Sequence, residues 1–187
     1  MNKIFLIFLI ILIIIILYLA IGYSIDRYHK ELPSIPLHPN NIDESEIVNE
    51  YINKRDNEMY EFIKTTDNCI SCVFKEHVNE SHEEMNEIIS KNIYIIMFLK
   101  NLFNRQRPYL VNTNLNNFKT PTSASPAFPS GHSLQAHYLA KKLSEKYPEK
   151  REILYKIAEK VGIARVYAGV HYPSDHKFSK FIASVLP

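Results

Sequence analysis

The most restrictive feature of this sequence is an uninterrupted apolar run near its N-terminus, IFLIFLIILIIIILYLAI, from Ile4 to Ile21. Its 18 residues carry no charge, and a helix of that length would span about 27 Å. Because the hydrocarbon core of a bilayer is about 30 Å thick, the run predicts a transmembrane helix, with residues 1–22 as a membrane anchor. A cleaved signal peptide is the alternative, although its apolar core is usually about 7–15 residues long.

The residues around this run leave its orientation open but indicate where a folded domain begins. Lys3 lies on one side of the run, and Arg27 and Lys30 lie on the other, so the positive-inside rule favours neither direction. Residues 23–42 contain three prolines and are expected to form a linker. We therefore expect a single-pass membrane protein in which residues 43–187 form one domain. We expect this domain to be extracytoplasmic or lumenal, while the charges beside the run leave the topology open.

The net charge of +2 conceals a charge asymmetry between two parts of the chain. Residues 25–99 contain 7 Lys and Arg against 15 Asp and Glu, whereas residues 100–187 contain 14 against 5. Either these two parts pack against each other, or the second part presents positive potential to an anionic ligand. No nucleic acid is expected as a partner, and the oligomeric state stays open.

Ten prolines, only four glycines and long stretches free of both indicate a largely helical chain. Ser81 and Glu84 have the spacing of a capping box, and Pro108 is expected to end the helix that follows. The predicted helices cover residues 43–64, 76–103, 133–146, 148–167 and 174–185, with a polar loop at 109–128. The predicted fold is all-α, a compact bundle of about five or six helices.

The two cysteines, Cys69 and Cys72, form the single CxxC motif NCISC. Two cysteines cannot supply the four ligands of a structural zinc site, and no βαβ pattern surrounds them to indicate a thioredoxin-like site. They are either two free thiols or one local disulfide, and a disulfide would indicate an oxidising compartment.

Three short clusters in the second part of the chain carry residues suited to an anionic substrate. The first is KNLFNRQRP, in which Lys100 and Arg107 are seven residues apart, or two helical turns. On one helix both side chains would project from nearly the same face and could hold a doubly charged phosphate. The alternative is a solvated basic helix end, where cations suit the helix dipole.

The second cluster is FPSGHS, immediately before a predicted helix. Backbone N–H groups at a helix N-terminus bind anions, Ser130 could cap the helix or donate to the ligand, and Gly131 would let a ligand approach the backbone. His132 would then be placed to deliver a proton to a leaving oxygen. The alternative is an ordinary turn and helix cap.

The third cluster is RVYAGVHYPSD, from Arg165 to Asp175. Arg165 is expected on a helix that ends near Gly169, His171 in the following loop, and Asp175 at the start of the last helix. A carboxylate bonded to one ring nitrogen of His171 would set its tautomer and raise the nucleophilicity of the other nitrogen, as a phosphohistidine intermediate requires. The alternative is that Asp175 only caps a helix and His171 is a loop residue.

In this order, K-x6-R-P, P-S-G-H and R-x5-H-x3-D resemble the signature of the type 2 phosphatidic acid phosphatase superfamily. That superfamily includes bacterial non-specific acid phosphatases, lipid phosphate phosphatases and vanadium haloperoxidases. The resemblance covers about residues 90–187 and implies a phosphoric monoester hydrolase. Lipid phosphate phosphatases of this superfamily generally cross the membrane several times, so a chain with one predicted span is more similar to the acid phosphatase branch.

The resemblance also implies a role for each matching residue. Phosphate oxygens would be bound by Lys100, Arg107, Arg165, Ser130 and the backbone of Gly131. His171 would attack phosphorus and Asp175 would orient it, while His132 would protonate the leaving alkoxide and then activate water. No metal or other cofactor is implied, because fixed cations and backbone dipoles stabilise the phosphoryl oxygens, and vanadate would be an inhibitor.

Two departures from the family pattern are visible. The family usually has serine where this chain has Ala164, and the segment HKFSKF after Asp175 lacks a glycine often found there. The remaining histidines have no matched partners in the sequence and are expected on the surface or in loops. They are His29, His38, His77, His82, His137 and His176.

The expected substrate is a phosphomonoester, and a lipid-derived one stays open because a tether through residues 4–21 would hold the site near lipid headgroups. Two other functions stay open. One is a vanadate-dependent haloperoxidase with vanadate as its cofactor, although such enzymes are typically much larger. The other is a membrane-anchored adaptor of the same fold with weak catalysis.

Overall fold

The computed structural model describes residues 38–187, so the predicted anchor and most of the predicted linker lie outside the described residues. Residues 38–187 contain seven α-helices of nine or more residues, two single-turn α-helices, two short 3-10 helices and no strand. The helices are α1 (Asn41–Asn53), α2 (Asn57–Asn68), α3 (Cys72–Lys75), α4 (His82–Ser90), α5 (Ile93–Phe103), α6 (Pro108–Val111), α7 (Gly131–Lys146), α8 (Arg151–Tyr167) and α9 (Pro173–Val185). Of the helices in this part of the chain, none is long and apolar enough to cross a bilayer.

The all-α prediction is confirmed, but the first predicted helix, over residues 43–64, is broken in two. α1 ends at Asn53 and α2 begins at Asn57. Asp56 caps the start of α2 by accepting a hydrogen bond from Met59 N at 2.8 Å. The break lets the two helices bury their apolar residues in different parts of the core, which one straight amphipathic helix could not do.

The second predicted helix, over residues 76–103, starts later and is also interrupted. It begins through the predicted capping box, in which Ser81 Oγ accepts from Glu84 N at 3.1 Å and Glu84 Oε2 accepts from Ser81 N at 2.7 Å. A two-residue turn separates α4 from α5, and α5 ends at Phe103, followed by the cap residue Asn104, whose φ is 45°. The prediction that Pro108 ends this helix is wrong. Pro108 instead begins α6, where its fixed φ and missing N–H suit a helix start.

The core lies between α7 and α8, which pack along much of their length, with α9 and α4 also packed against α7. Leu139 and Leu143 of α7 and Leu154 and Val161 of α8 are buried in one apolar cluster with Phe74 of α3. Burial of this surface holds the N-terminal ends of α7 and α9 side by side, where the predicted site residues lie.

Two of the histidines expected on the surface or in loops, His137 and His176, are instead buried within helices. His137 Nδ1 donates to the Ser133 carbonyl at 2.9 Å, and Ser133 Oγ lies 2.7 Å from His176 Nδ1. Glu159 of α8 completes the group, with its Oε1 3.0 Å from His176 Nε2. The prediction was wrong because these partners come from α7, α8 and α9, which the sequence does not place together.

The two cysteines form a disulfide, which is one of the two states that the sequence left open. Cys69 follows directly on α2, and Cys72 begins α3. The bridge therefore closes the turn between these two helices.

Gly162 is the point at which α8 passes close to the buried histidine group. A Cβ atom at this position would lie 2.1 Å from His176 Nδ1 and 2.8 Å from Ser133 Oγ. We expect Gly162→Ala to lower the free energy of unfolding by about 1–3 kcal/mol, the usual range for overpacking, as measured by urea denaturation. In an unobstructed helix the same change is stabilising by about 1 kcal/mol, so a gain in stability would contradict this packing.

Candidate active site

A cavity of about 640 Å³ opens between α5, the first turn of α7 and the loop that precedes α7. The predicted site residues that line it are Lys100, Arg107, Gly131, His132 and His171. The other predicted site residues are buried beneath the cavity surface; they are Ser130, Arg165 and Asp175. The structure therefore brings the three sequence clusters together in one place.

His171 and Asp175 form the predicted pair in the turn between α8 and α9. Asp175 Oδ2 accepts from His171 Nδ1 at 3.0 Å and from Tyr172 N at 2.9 Å. The carboxylate thereby sets the tautomer, in which Nδ1 carries the proton and Nε2 has the free lone pair. Burial and the nearby cations Arg107 and Lys100 hold the pKa of His171 well below its usual value, so the ring is neutral.

The chain reaches this geometry through the end of α8. Gly169 has a φ of 72°, in the left-handed region that favours glycine after a helix. The Arg165 carbonyl accepts hydrogen bonds from both Val170 N and His171 N at 3.3 Å. This turn reverses the chain and brings His171 to the cavity wall.

Arg107 and Lys100 approach His171 from a different part of the chain. Arg107 Nη1 lies 2.9 Å from His171 Nε2 and also donates to the Val170 carbonyl at 2.7 Å. Lys100 Nζ donates to the Pro126 carbonyl at 2.6 Å. Burial and the charge of Arg107 lower the pKa of Lys100 well below its usual value. The Arg107 guanidinium thus covers the ring nitrogen that has the free lone pair.

The predicted reason why Lys100 and Arg107 lie close together is wrong. Lys100 and Arg107 do not share one helical face, because α5 ends at Phe103 and the left-handed Asn104 turns the chain out of the helix. Arg107 is extended and precedes α6, and its Nε donates to the Ser125 carbonyl at 2.8 Å. Carbonyl groups of the loop before α7, rather than a shared helix, direct both cations to the cavity.

His132 lies in the first turn of α7. Its Nε2 is 3.4 Å from the Asp67 carbonyl oxygen and 3.8 Å from the Asp67 carboxylate. Burial and the positive charge of Arg165 lower the pKa of His132 to about 3, although the Asp67 carboxylate opposes this shift. His132 is therefore neutral, and it would gain a proton only when an anion offsets the surrounding cations.

Arg165 is held by a carboxylate that the sequence patterns did not reveal. Arg165 Nη1 donates to Asp67 Oδ1 at 2.8 Å, and its Nη2 donates to the Ile63 carbonyl at 2.9 Å. Asp67 also accepts from Thr120 Oγ1 at 2.6 Å. Because Asp67 lies 98 residues before Arg165 in the chain, only its place in the acidic part of the sequence hinted at a cationic partner.

Arg105 is a second residue that the sequence patterns did not reveal, although it lies inside the first cluster. It is completely buried, and its Nη1 donates to Asp175 Oδ1 at 2.6 Å. Arg105 therefore holds the other oxygen of the carboxylate that orients His171. Its charge was visible in KNLFNRQRP, but no spacing rule connects it with Asp175.

Ser130 precedes α7 without making the predicted side-chain cap. Its Oγ is buried and has no hydrogen-bond partner among residues 38–187, and the same holds for Arg165 Nε. Buried donors without a partner are rare in folded proteins, so these two atoms call for an explanation. At Gly131 an added Cβ atom would make only ordinary contacts with Ile96 and Lys100.

The departure from the family pattern at Ala164 lies in the core rather than in the cavity. Ala164 is fully buried in an apolar cluster with Ile63 and Val170. A serine hydroxyl would find no partner in these side chains, so alanine suits the position. In the second departure, HKFSKF, Phe178 stacks on Phe128 with ring centroids 4.5 Å apart, and this contact packs α9.

Residues 87–186 match the sequence pattern of the PAP2 superfamily, and they include all of the predicted site residues. The chain belongs to the PAP2 superfamily. This match confirms the resemblance seen in the three clusters, and membership of PAP2 supports a phosphatase-type function.

Among solved structures, this PAP2 protein is similar to the crystal structure of the first transmembrane PAP2 type phosphatidylglycerolphosphate phosphatase from Bacillus subtilis. The TM-score is 0.54 and the sequence identity is 20%, over 93% of this chain and 89% of that chain. At this identity the likeness shows a shared fold. No curated protein sequence matches the chain.

The buried histidines of this PAP2 protein make its stability depend on pH. The pKa values of His132, His137 and His171 all lie below the usual value for histidine, mainly because of burial. Below a pH of about 6.5 the unfolded chain binds more protons on these rings than the folded protein does, so the free energy of unfolding falls as the pH falls. A folded pKa of about 3 makes His132 alone responsible for about 2 kcal/mol between about pH 6.5 and pH 5.

We therefore expect His132→Gln to reduce, by about 2 kcal/mol, the difference in unfolding free energy between about pH 7 and pH 5. The measurement is urea denaturation in a buffer free of phosphate. His77→Gln, which lies outside the cavity, should keep the wild-type difference. An equal pH dependence in His132→Gln and wild type would show that the folded protein already protonates His132.

Proposed function

We propose that this PAP2 protein is a metal-independent phosphatase that hydrolyses phosphomonoesters through a phosphohistidine on His171. The observation that carries the proposal is the buried pair of His171 and Asp175, in which Nδ1 is bonded to the carboxylate, the ring lines the cavity and Nε2 lies 2.9 Å from Arg107 Nη1. Oxygens of a bound phosphate would take over this Arg107 N–H and leave the Nε2 lone pair free to attack phosphorus. A neutral imidazole with a defined tautomer is a competent nucleophile.

The phosphate group would lie between the cations and the N-terminus of α7. Arg107 and Lys100 would bind its oxygens, together with backbone N–H groups at the start of α7, including that of Gly131. The two buried donors without partners, Arg165 Nε and Ser130 Oγ, would supply further hydrogen bonds to the anion. Positive charge preorganised on buried side chains would stabilise the phosphoryl oxygens in the transition state without a metal ion.

In the first step, His171 Nε2 attacks phosphorus, an N–P bond forms, and the P–O bond to the leaving group breaks. Asp175 keeps the proton on Nδ1 and stabilises the positive charge that develops on the ring. The leaving alkoxide takes a proton from His132. Because His132 is neutral in the free protein, the negative charge of the bound phosphate must raise its pKa, so substrate binding and proton uptake are linked.

In the second step, neutral His132 accepts a proton from water as the water oxygen attacks the phosphohistidine. The N–P bond breaks, inorganic phosphate leaves, and His171 returns to its neutral form. His132 thereby gains a proton from water in place of the one that left with the alcohol, and it releases this proton as phosphate departs and the ring returns to its neutral form.

Hydrolysis of p-nitrophenyl phosphate by the purified protein tests this function. We expect turnover that EDTA does not affect and vanadate inhibits. His171→Ala should lower kcat about a thousandfold or more because the nucleophile is lost, whereas the matched control His77→Ala should keep the wild-type rate. A wild-type rate in His171→Ala would contradict the proposed mechanism.

The same assay separates the other functions that the sequence left open. A folded protein without turnover over a wide pH range would indicate an adaptor of the PAP2 fold. Oxidation of bromide by peroxide in the presence of vanadate would indicate a haloperoxidase.

The apolar lining of the cavity indicates the chemistry of the leaving group. The cavity wall includes the apolar side chains Ile70, Ile89, Ile93, Ile96 and Met97. We infer that the substrate carries an apolar group on its phosphate, as a lipid-derived phosphomonoester does. A membrane anchor in residues 4–21 would hold the cavity near such substrates.

If this wall binds the leaving group, alkyl phosphates of increasing chain length should be hydrolysed with increasing kcat/KM. Each buried methylene is worth about 0.8 kcal/mol, which corresponds to up to about fourfold in kcat/KM. Met97→Lys should lower kcat/KM for a long-chain alkyl phosphate about tenfold more than for p-nitrophenyl phosphate. The control Leu110→Lys changes an exposed residue outside the cavity and should keep the wild-type ratio. No dependence on chain length would contradict an apolar leaving-group site.

A further inference from the structure

Arg105 is completely buried, yet it carries a permanent positive charge beside the proposed nucleophile pair. Each of its five N–H groups has a hydrogen-bond acceptor, which is the full capacity of a guanidinium. The acceptors are the Pro39 carbonyl, Asn41 Oδ1, Glu44 Oε2, Ser174 Oγ and Asp175 Oδ1. The ring of Tyr172 covers one face of the guanidinium, with 3.8 Å between the Arg105 Cζ atom and the ring centroid. These contacts hold Arg105 in a single orientation.

Two of these acceptors are carboxylates, and they bind opposite ends of the guanidinium. Arg105 Nη1 is 2.6 Å from Asp175 Oδ1, and Nη2 is 2.6 Å from Glu44 Oε2. Asp175 is 0% exposed and Glu44 is 7% exposed, so water screens these ion pairs poorly. The charge of Arg105 is therefore shared between the carboxylate that orients His171 and a carboxylate of α1.

Glu44 also binds the first turn of α9 directly. Its Oε1 accepts from Ser174 N at 3.1 Å, and its Oε2 accepts from the Ser174 hydroxyl. Glu44 thus holds the residue next to Asp175 as well as the cation that binds Asp175. Because α1 lies outside residues 87–186, the PAP2 match assigns nothing to Glu44.

We propose that Arg105 and Glu44 are a positioning pair for the His171 nucleophile: Arg105 orients the Asp175 carboxylate, and Glu44 sets how much of the Arg105 charge acts on that carboxylate. The inference rests on the proposed phosphatase function. Neither Arg105 nor Glu44 lines the cavity, so both act through Asp175 rather than on the substrate. The other charged or titratable groups around this pair are His38, Lys100, Arg107, His132, Arg165 and Tyr172.

Removal of the Glu44 charge and removal of the Arg105 charge should change the basicity of His171 in opposite directions. Glu44→Gln leaves the Arg105 charge opposed only by Asp175, so Asp175 becomes a weaker acceptor and His171 becomes less basic. Arg105→Gln leaves the two carboxylates without their cation, so Asp175 becomes a stronger acceptor and His171 becomes more basic. A merely structural role predicts a loss of activity in both variants without opposite effects on His171.

The pH dependence of kcat/KM for p-nitrophenyl phosphate provides the first readout, because it reports ionisations of the free enzyme. On the acid side of this pH profile, kcat/KM falls as His171 becomes protonated. We expect this acid limb to move to lower pH in Glu44→Gln and to higher pH in Arg105→Gln, each by about half a pH unit or more. Glu46→Gln and Arg151→Gln remove the same charges from exposed positions and should leave the limb unchanged. Arg105→Lys keeps the positive charge but lacks the planar guanidinium group. It should therefore lower kcat with little movement of the acid limb of the profile.

The second readout needs no turnover. The proton that His171 Nδ1 donates to Asp175 is followed by proton NMR of protein with isotope-labelled histidine, and it is assigned by its loss in His171→Ala. It should move downfield in Arg105→Gln and upfield in Glu44→Gln, as the hydrogen bond to Asp175 strengthens or weakens. If Arg105→Gln does not fold, Glu44→Gln and Arg105→Lys still provide the comparison.

The two readouts separate failure of this inference from failure of the proposed function. Opposite NMR shifts in a protein without phosphatase activity would support the positioning pair and overturn the phosphatase. Shifts in the same direction, or a folded Glu44→Gln that matches Glu46→Gln in both readouts, would overturn the positioning pair whether or not the protein is a phosphatase.

Discussion

Asp175 is completely buried, and its two carboxylate oxygens hold two different parts of the protein: Oδ2 accepts from His171 and Oδ1 accepts from Arg105. A buried carboxylate is costly unless every oxygen is hydrogen-bonded, so the segments that carry these donors must meet at this point. The turn after α8, the start of α9 and the chain after α5 are thereby brought together. The same contacts that satisfy Asp175 also define the tautomer of His171, so one buried charge governs both the packing and the chemistry of the site.

The distribution of charge along the chain follows from this requirement. The basic second part of the chain supplies the cations, and the acidic first part supplies two carboxylates that reach into the same region. Glu44 pairs with Arg105, and Asp67 pairs with Arg165. Both explanations that the sequence left open for its charge asymmetry therefore hold, since the two parts pack against each other and Lys100 and Arg107 still face the cavity. Burial, together with the excess of cations around His132 and His171, lowers the pKa of both rings and keeps them neutral.

The residues that match PAP2 and the helices that precede them contribute different parts of the site. The matched residues include the cations and histidines that contact the cavity. The helices before residue 87 contribute the carboxylates that hold Arg105 and Arg165, and the chain from Asp67 to Ile70 forms part of the cavity wall. The carboxylates that pair with these two buried arginines thus lie outside the residues that match the family pattern.

The sequence by itself determined the all-α class, the capping box of α4 and the PAP2 family, because helix signals and motif spacings act over a few residues of chain. It also identified the residues that the structure gathers around one cavity. Only the tertiary structure decided that two predicted helices are broken and that Arg107 reaches the cavity from a loop rather than from a helical face. The ion pairs of Arg105 with Glu44 and Asp175 connect residues 61 and 70 positions apart. No local pattern encodes such a pairing, since it arises when separate helices pack and each buried charge must find a partner.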